Sequence, residues 1–104
     1  MDNPNATTTP NKTEYREFTA EFEDFESLPV NLSFHFRKPT SAETERAVKE
    51  VAKSVARGLK NLCMATVKPE EREELKEALA KHHGLAATFG NEILERLGFN
   101  ALGK

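Results

Sequence analysis

The sequence has little of several features that would indicate particular classes of protein. It contains one cysteine, no tryptophan and a net charge of only −2 over 104 residues. A single cysteine excludes an internal disulfide and fits a reducing compartment. The small net charge gives no overall attraction to nucleic acid or to anionic lipid, and the longest apolar run is too short to cross a membrane. Because the first residues also lack a basic start followed by an apolar core, we expect a cytoplasmic protein that is not exported.

Motifs that would indicate an enzyme are also missing. The sequence has no glycine-rich phosphate loop, no paired-cysteine motif and no serine–histidine–aspartate order. His82 and His83 are the one place where a metal site would begin, but adjacent helical residues point about 100° apart, and positive charge near a helix C-terminus explains them better. Cys63 lies on an apolar helix stripe, where a thiol is expected to be inert. We therefore predict no enzyme, no catalytic residue, no cofactor and no metal.

The hydrophobic pattern divides the chain into a polar start and a folded remainder. Residues 1–13 offer almost nothing to bury and are predicted to form a disordered tail. Residues 14–104 are predicted to form a single α+β domain. Apolar residues alternate with polar ones over residues 15–22 and 29–37, which predicts two strands of an antiparallel hairpin. One face of this hairpin carries four phenylalanine rings and must be covered by helices.

Three helices are predicted to follow, at about residues 41–66, 69–83 and 85–97. Thr40 and Glu43 form a capping-box pattern at the start of the first helix, and Gly58 marks a bend inside it. Pro69 begins the second helix, and Gly84 is expected to end it in a left-handed conformation. Gly98 and Phe99, after the third helix, have the pattern of a Schellman ending. The predicted fold class is α+β, with an N-terminal antiparallel β-hairpin packed against a three-helix C-terminal bundle.

The first predicted helix has a basic face opposite its apolar stripe, and only Met64 breaks the polarity of that face. The basic residues are Arg46, Lys49, Lys53, Arg57 and Lys60. The hairpin region, residues 14–26, has six acidic residues and one basic residue. Such charge separation would direct head-to-tail self-association or attract an acidic partner, although solvation alone also explains a charged helix face. No aromatic residue interleaves the basic face, so we predict no nucleic-acid binding.

The third predicted helix has an unusually wide apolar surface that covers about half of its circumference. Phe99 and Leu102 extend this apolar character. Either the helix is sandwiched between the second helix and the sheet, or part of it meets another molecule. The candidate partner-binding residues are Lys49, Lys53, Arg57, Lys60, Met64, Leu94, Phe99 and Leu102.

Three parts of the sequence resemble the small tail assembly chaperones of long-tailed bacteriophages and prophages. They are FHFRKPT at residues 34–40, LKNLC at 59–63 with KPEEREEL at 68–75, and GLA at 84–86 with GNEIL at 90–94 and LGF at 97–99. The resemblance implies no enzymatic activity, self-association as a homo-oligomer, and binding to the tape-measure protein or another tail protein. It transfers no functional residue, because that family has no strict motif. A structural component that oligomerises in a phage particle and a small cytosolic regulatory protein remain alternatives.

Overall fold

The computed structural model describes residues 13–99. Its elements are β1 (Tyr15–Glu23), β2 (Pro29–Arg37), α1 (Ser41–Lys53), α2 (Val55–Thr66), a 3-10 turn (Pro69–Glu71), α3 (Arg72–Lys81) and α4 (Leu85–Arg96). The α+β class and the hairpin that precedes the helices are confirmed. This part of the chain has four α-helices, however, and the prediction of three was wrong. The predicted disordered tail, apart from Thr13, lies outside the described residues.

The two strands pair antiparallel over their whole length. The register runs from Tyr15 opposite Arg37 at the open end to Glu23 opposite Pro29 at the turn. Because side chains alternate between the faces of a strand, this register puts the phenylalanines on one face and mainly polar side chains on the other. Two nine-residue strands span about 30 Å, so the turn and the open end of the hairpin are widely separated.

The phenylalanine-bearing face of the hairpin is covered mainly by α4. The Phe89 ring of that helix lies 5.9 Å from the ring of Phe34 and 5.3 Å from that of Phe36, between centroids. Phe18 meets Phe36 edge to face at 5.2 Å, a geometry that aromatic quadrupoles favour. The rings of Phe18, Phe34, Phe36 and Phe89 are buried. The fourth ring of the hairpin face, Phe22, lies nearer the turn and is partly exposed.

The first predicted helix is interrupted at Ser54, four residues before the expected bend at Gly58. Ser54 is extended, with φ −152° and ψ 108°, and its N–H closes α1 by donating to the Glu50 carbonyl at 2.7 Å. Its hydroxyl oxygen then accepts a hydrogen bond from the Arg57 N–H at 3.3 Å, which caps α2. Serine suits this position because its side chain satisfies one of the free donors at a helix start.

Helices α1 and α2 fold back on each other after the interruption. A Cβ atom on Gly58 would lie only 2.6 Å from the backbone nitrogen of Val51, so the two helices touch where only glycine fits. Further from the break, the amide of Asn61 lies 3.4 Å from the Glu50 carboxylate. This pairing makes α1 and α2 an antiparallel helical hairpin, which the sequence did not predict.

Most of the remaining helix ends follow the predicted signals. Pro69, however, begins a 3-10 turn, and the helix predicted for residues 69–83 is α-helical only over Arg72–Lys81. Thr40 and Glu43 form the capping box, with hydrogen bonds of 3.1 and 2.9 Å. The N–H of Phe99 donates to the Leu94 carbonyl, and Gly98 has φ 103°, as a Schellman ending requires. The prediction that Gly84 adopts a left-handed conformation was wrong. Gly84 has φ −90° and begins α4, because α3 has already ended at an extended His82.

Candidate functional site

The four basic residues proposed to bind a partner do not share one helix face. Lys49 and Lys53 lie on α1, whereas Arg57 and Lys60 lie on α2, and all four are exposed. The interruption at Ser54 divides the predicted basic face between two helices that run in opposite directions. On α1 the cations also alternate with carboxylates, and Lys49 Nζ lies 3.9 Å from a carboxylate oxygen of Glu45.

The apolar members of the predicted binding set differ in their accessibility. Leu94 is completely buried, so its assignment to a binding surface is corrected: it has no surface for a partner to contact. Met64 is partly buried against the core, Phe99 is exposed, and Leu102 lies outside the described residues. These positions therefore do not combine into the predicted apolar patch within residues 13–99.

The wide apolar surface of α4 is explained by packing on two sides. On one side Phe89 meets the rings of the hairpin. On the other side Gly90 packs so closely against Leu59 of α2 that an added Cβ would lie 2.9 Å from the leucine Cβ. The helix is therefore sandwiched, as one of the two explanations held. Its partner opposite the sheet is mainly α2, however, and not the helix that follows Pro69.

A more exposed apolar surface lies at the turn of the hairpin, in the segment from Glu21 to Leu28 that we call the hairpin tip. Phe25 is 100% exposed, Leu28 59% and Phe22 37%. The tip also contains four acidic residues and no basic residue; the acids are Glu21, Glu23, Asp24 and Glu26. Large apolar side chains rarely cluster in water without a partner, so the tip is the first candidate for a binding surface.

The shape of the hairpin tip is fixed by its own hydrogen bonds. The Asp24 carboxylate accepts from the backbone N–H groups of Glu26 and Leu28, each at 2.9 Å. The Asp24 N–H donates to the Leu28 carbonyl at 2.8 Å, and Ser27 adopts φ 66°. Since the turn is already ordered, a partner that binds it has less conformational entropy to remove.

A cleft of about 590 Å³ separates the hairpin tip from the connection between α3 and α4. Phe22 and Phe25 line it on the hairpin side, and His82 and Leu85 line it on the helical side. The His82 ring meets the Phe22 ring edge to face at 5.2 Å. His82 is therefore an aromatic contact of the tip, and no group of three or more potential metal ligands occurs in residues 13–99.

A second groove, of about 480 Å³, lies at the open end of the hairpin, and we call it the basic groove. Its floor is apolar and its edges are cationic. The apolar residues are Phe18, Phe36, Pro39, Ile93 and Leu97, and the charged residues are Arg16, Arg37, Lys38 and Arg96 with a single carboxylate, Glu14. Arg16 lies opposite Phe36 in the strand register, and Lys38 directly follows the last residue of β2 at the same end of the hairpin. Helix α4 adds Arg96 to the groove.

Two of the cations in the basic groove are held in place. The guanidinium carbon of Arg96 lies 3.9 Å from the centroid of the Phe18 ring, and its Nη2 lies 2.7 Å from a carboxylate oxygen of Glu92. Arg37 makes two 2.8 Å bonds to Glu43 and a 2.9 Å bond to the Ala65 carbonyl. The hydrogen bond to Glu43 raises the pKa of Arg37 above its usual value. Arg16 is exposed and its Nη2 lies 3.4 Å from a carboxylate oxygen of Glu14, whereas the exposed Lys38 extends the positive edge outward.

Cys63 and His35 both make contacts inside the fold. Cys63 is completely buried, and desolvation raises the pKa of its thiol to about 12, so the thiolate needed for reaction is scarce near neutral pH. His35 bonds to Glu71 at 2.8 Å, and the backbone of the same histidine bonds to that carboxylate at 2.7 Å. These contacts fasten the 3-10 turn to β2.

Sequence reasoning missed both surfaces for different reasons. Most of the tip was considered only as part of the acidic hairpin region, residues 14–26, although the sequence FEDFESL at residues 22–28 places aromatic and aliphatic side chains among the acids. The basic groove combines residues that are far apart in sequence. The alternation of β1 places Arg16 on the same face as Phe18, but only the position of α4 brings Arg96 to this end of the hairpin.

Comparison with known proteins identifies the family. A family model described as "Domain of unknown function (DUF6848)" matches residues 10–103. The chain belongs to the DUF6848 family. A solved structure, that of the uncharacterised protein rbstp2171 from Bacillus stearothermophilus, is similar to this DUF6848 chain with a TM-score of 0.68 and 25% sequence identity. The similarity covers 86% of this chain and 88% of the other. No curated protein matches the chain.

Proposed function

We propose that this DUF6848 protein is a non-enzymatic, cytoplasmic protein-binding protein of the phage tail assembly chaperone type, and that the hairpin tip contacts its client. The exposure of Phe25 and Leu28 carries the proposal. The resemblance to phage tail assembly chaperones implies that the client is a tape-measure protein, which is long and aggregation-prone. Within residues 13–99, no helix is long and apolar enough to span a membrane.

The hairpin tip has the properties of a protein-binding hot spot. Full burial of a side chain such as phenylalanine or leucine is worth about 1.5–3 kcal/mol. Phe25 is fully exposed and Leu28 is 59% exposed, so together they would contribute about 2–5 kcal/mol before the entropic cost of association. Association itself costs roughly 4 kcal/mol or more, so binding also needs contacts from the cleft beside Phe22, and the complex is expected to be weak and reversible. Weak binding suits a chaperone that must release its client during assembly.

The charge of the tip defines which client segment fits it. Four carboxylates surround the apolar side chains, so a segment that combines apolar and basic residues is complementary. An amphipathic helix of a tape-measure protein with a basic flank has these features, and its apolar face would enter the cleft beside Phe22 and His82. The basic residues would remain at the acidic edge of that cleft.

The test is co-expression of the tape-measure protein encoded nearest to this gene with the full chain or with variants. Wild-type protein is expected to increase the soluble fraction of the tape-measure protein, and Phe25→Ser is expected to abolish that effect. Val55→Ser is the control, because Val55 is an apolar residue on α2 that is 38% exposed and lies away from the tip. Equal solubility with and without the wild-type chain would contradict the proposal.

The opposite charges at the two ends of the hairpin favour a second candidate function, a structural component that oligomerises in a phage particle. Light scattering on the purified chain separates the two functions. A large ring of fixed mass would support the structural function, whereas a monomer or a small, concentration-dependent oligomer would support the chaperone.

A further inference from the structure

The two ends of the hairpin are complementary in both charge and apolar character. The hairpin tip presents four carboxylates around exposed phenylalanine and leucine side chains. The basic groove presents four cations around an apolar floor. Three of them, Arg16, Arg37 and Arg96, are paired with Glu14, Glu43 and Glu92, so the positive excess at its edge is carried mainly by Lys38. Both surfaces lie on the same hairpin, at its turn and at its open end. The groove thus has the features that the tip of this same protein would need in a partner.

We propose that the basic groove binds the hairpin tip of a second copy of this chain. Phe25 of one copy would pack at the mouth of the groove, near Leu97 of the other. The carboxylates of Glu23 and Glu26 would meet the edge formed by Arg16 and Lys38. These four side chains are exposed, and the tip carboxylates would replace Glu14, whose carboxylate oxygen lies 3.4 Å from Arg16 Nη2 in the single chain.

A second copy fits the groove better than the chain's own segments. The tip cannot reach its own groove, because the two lie at opposite ends of strands that span about 30 Å. The terminal segments, 1–12 and 100–104, contain one acidic residue, two lysines and no aromatic residue. They therefore lack both the negative charge and the rings that the groove is suited to bind.

The contact is expected to be weak and sensitive to salt. An eight-residue tip buries less surface than the roughly 1,200–2,000 Å² of a stable protein interface. Exposed charges lose most of their attraction beyond about 10 Å at 0.1 M salt. Because the tip and the groove are different surfaces, the contact either closes as an antiparallel pair with two such contacts or extends into a head-to-tail chain.

This interface rests on the proposed function in one respect only: both use the hairpin tip as the binding surface. Self-association would occupy Phe25 when no client is present, and a client would compete for it. The basic groove, in contrast, takes part only in self-association. Variants of the groove therefore test this inference without disturbing the proposed client site.

The decisive experiment is charge reversal followed by mixing. The groove variant carries Arg16→Glu and Lys38→Glu, and the tip variant carries Glu23→Lys and Glu26→Lys. Asp24 is kept, since its carboxylate holds the turn. In sedimentation at low salt, the full-length wild-type chain is expected to self-associate, and each variant alone is expected to do so about tenfold more weakly. An equal mixture should regain wild-type association, because every tip then finds a complementary groove.

A matched control excludes attraction that depends on net charge alone. Lys49→Glu with Lys53→Glu on α1 gives the same net charge as the groove variant. This control should self-associate like wild type. Circular dichroism establishes that each variant is folded before its result is used. The inference is overturned if the wild-type chain stays monomeric at low salt, if the mixture does not regain association, or if the α1 control is impaired as much as the groove variant.

The outcomes also separate this inference from the proposed function. Loss of self-association in the groove variant, with its effect on tape-measure solubility retained, supports both. Self-association without any effect on the tape-measure protein supports the interface and contradicts the chaperone function.

Discussion

Replacing Glu43 with glutamine removes one charge from the point where β2, α1 and α2 meet. Arg37, the last residue of β2, holds the Glu43 carboxylate with two bonds of 2.8 Å and the Ala65 carbonyl with a third of 2.9 Å. Glutamine is nearly isosteric and can still accept the hydrogen bond from the Thr40 N–H in the capping box. The substitution therefore tests the charged contact with Arg37 rather than the helix cap.

The expected magnitude follows from the pKa of Glu43. The hydrogen bond from Arg37, together with those from Thr40, lowers this pKa from 4.5 to about 2. Such a decrease corresponds to about 3 kcal/mol of folding free energy at neutral pH. Because the folded pKa is below the unfolded one, the stabilisation is fully present above about pH 4.5 and is lost as the pH falls toward 2.

Urea unfolding between pH 7 and pH 2 measures this contribution. At pH 7, Glu43→Gln is expected to lower the free energy of unfolding by about 2–3 kcal/mol, and the difference from wild type should shrink toward pH 2. Glu45→Gln is the control, since its pair with Lys49 is exposed and 3.9 Å long, and it should cost less than about 1 kcal/mol. A difference between Glu43→Gln and wild type that did not change with pH would refute the reasoning.

Two further predictions concern the core. Gly58→Ala should lower the free energy of unfolding by about 2 kcal/mol in thermal or urea unfolding, because the added methyl group would meet the backbone of Val51. Gly84→Ala is the control: its methyl group would point into open space, and its free energy of unfolding should stay within about 0.5 kcal/mol of wild type. Cys63 should resist thiol reagents at pH 8 in the folded protein and react at once in urea, since burial raises the pKa of its thiol to about 12. Loss of stability in the Gly84 variant, or rapid labelling of native Cys63, would contradict these two accounts.

Local signals predicted the hairpin and most helix ends. Alternation of apolar residues fixed the pairing of the strands, since a shift by one residue would have turned Phe18 and Phe34 toward water. The capping box at Thr40 and the Schellman ending at Gly98 depend on neighbouring residues only, and both formed. Such features can be recognised in a sequence because their causes lie within a few residues of each other.

The errors came from features that depend on distant parts of the chain. The apolar stripe continues in phase across Ser54, so the periodicity of apolar residues gave no sign that the helix is interrupted there. The signals that were present are Ser54, which caps α2, and Gly58, which allows α1 and α2 to touch. The width of the apolar surface on α4 did not distinguish packing on two sides from an exposed patch, and Leu94 was misassigned for that reason. The basic groove needs Arg96 beside the strand ends, a proximity that only the tertiary fold creates.

The central claim is that the hairpin tip binds protein, and one fluorescent side chain tests it most directly. The chain has no tryptophan, so Phe25→Trp places a single reporter at a fully exposed position. In dilute solution at moderate salt, its emission should resemble that of tryptophan in water and shift to shorter wavelength when a soluble tape-measure fragment is added. Val55→Trp, away from the tip, should show no shift with the same fragment. Binding of the fragment without any change in the emission of the tryptophan introduced at the tip would contradict the claim.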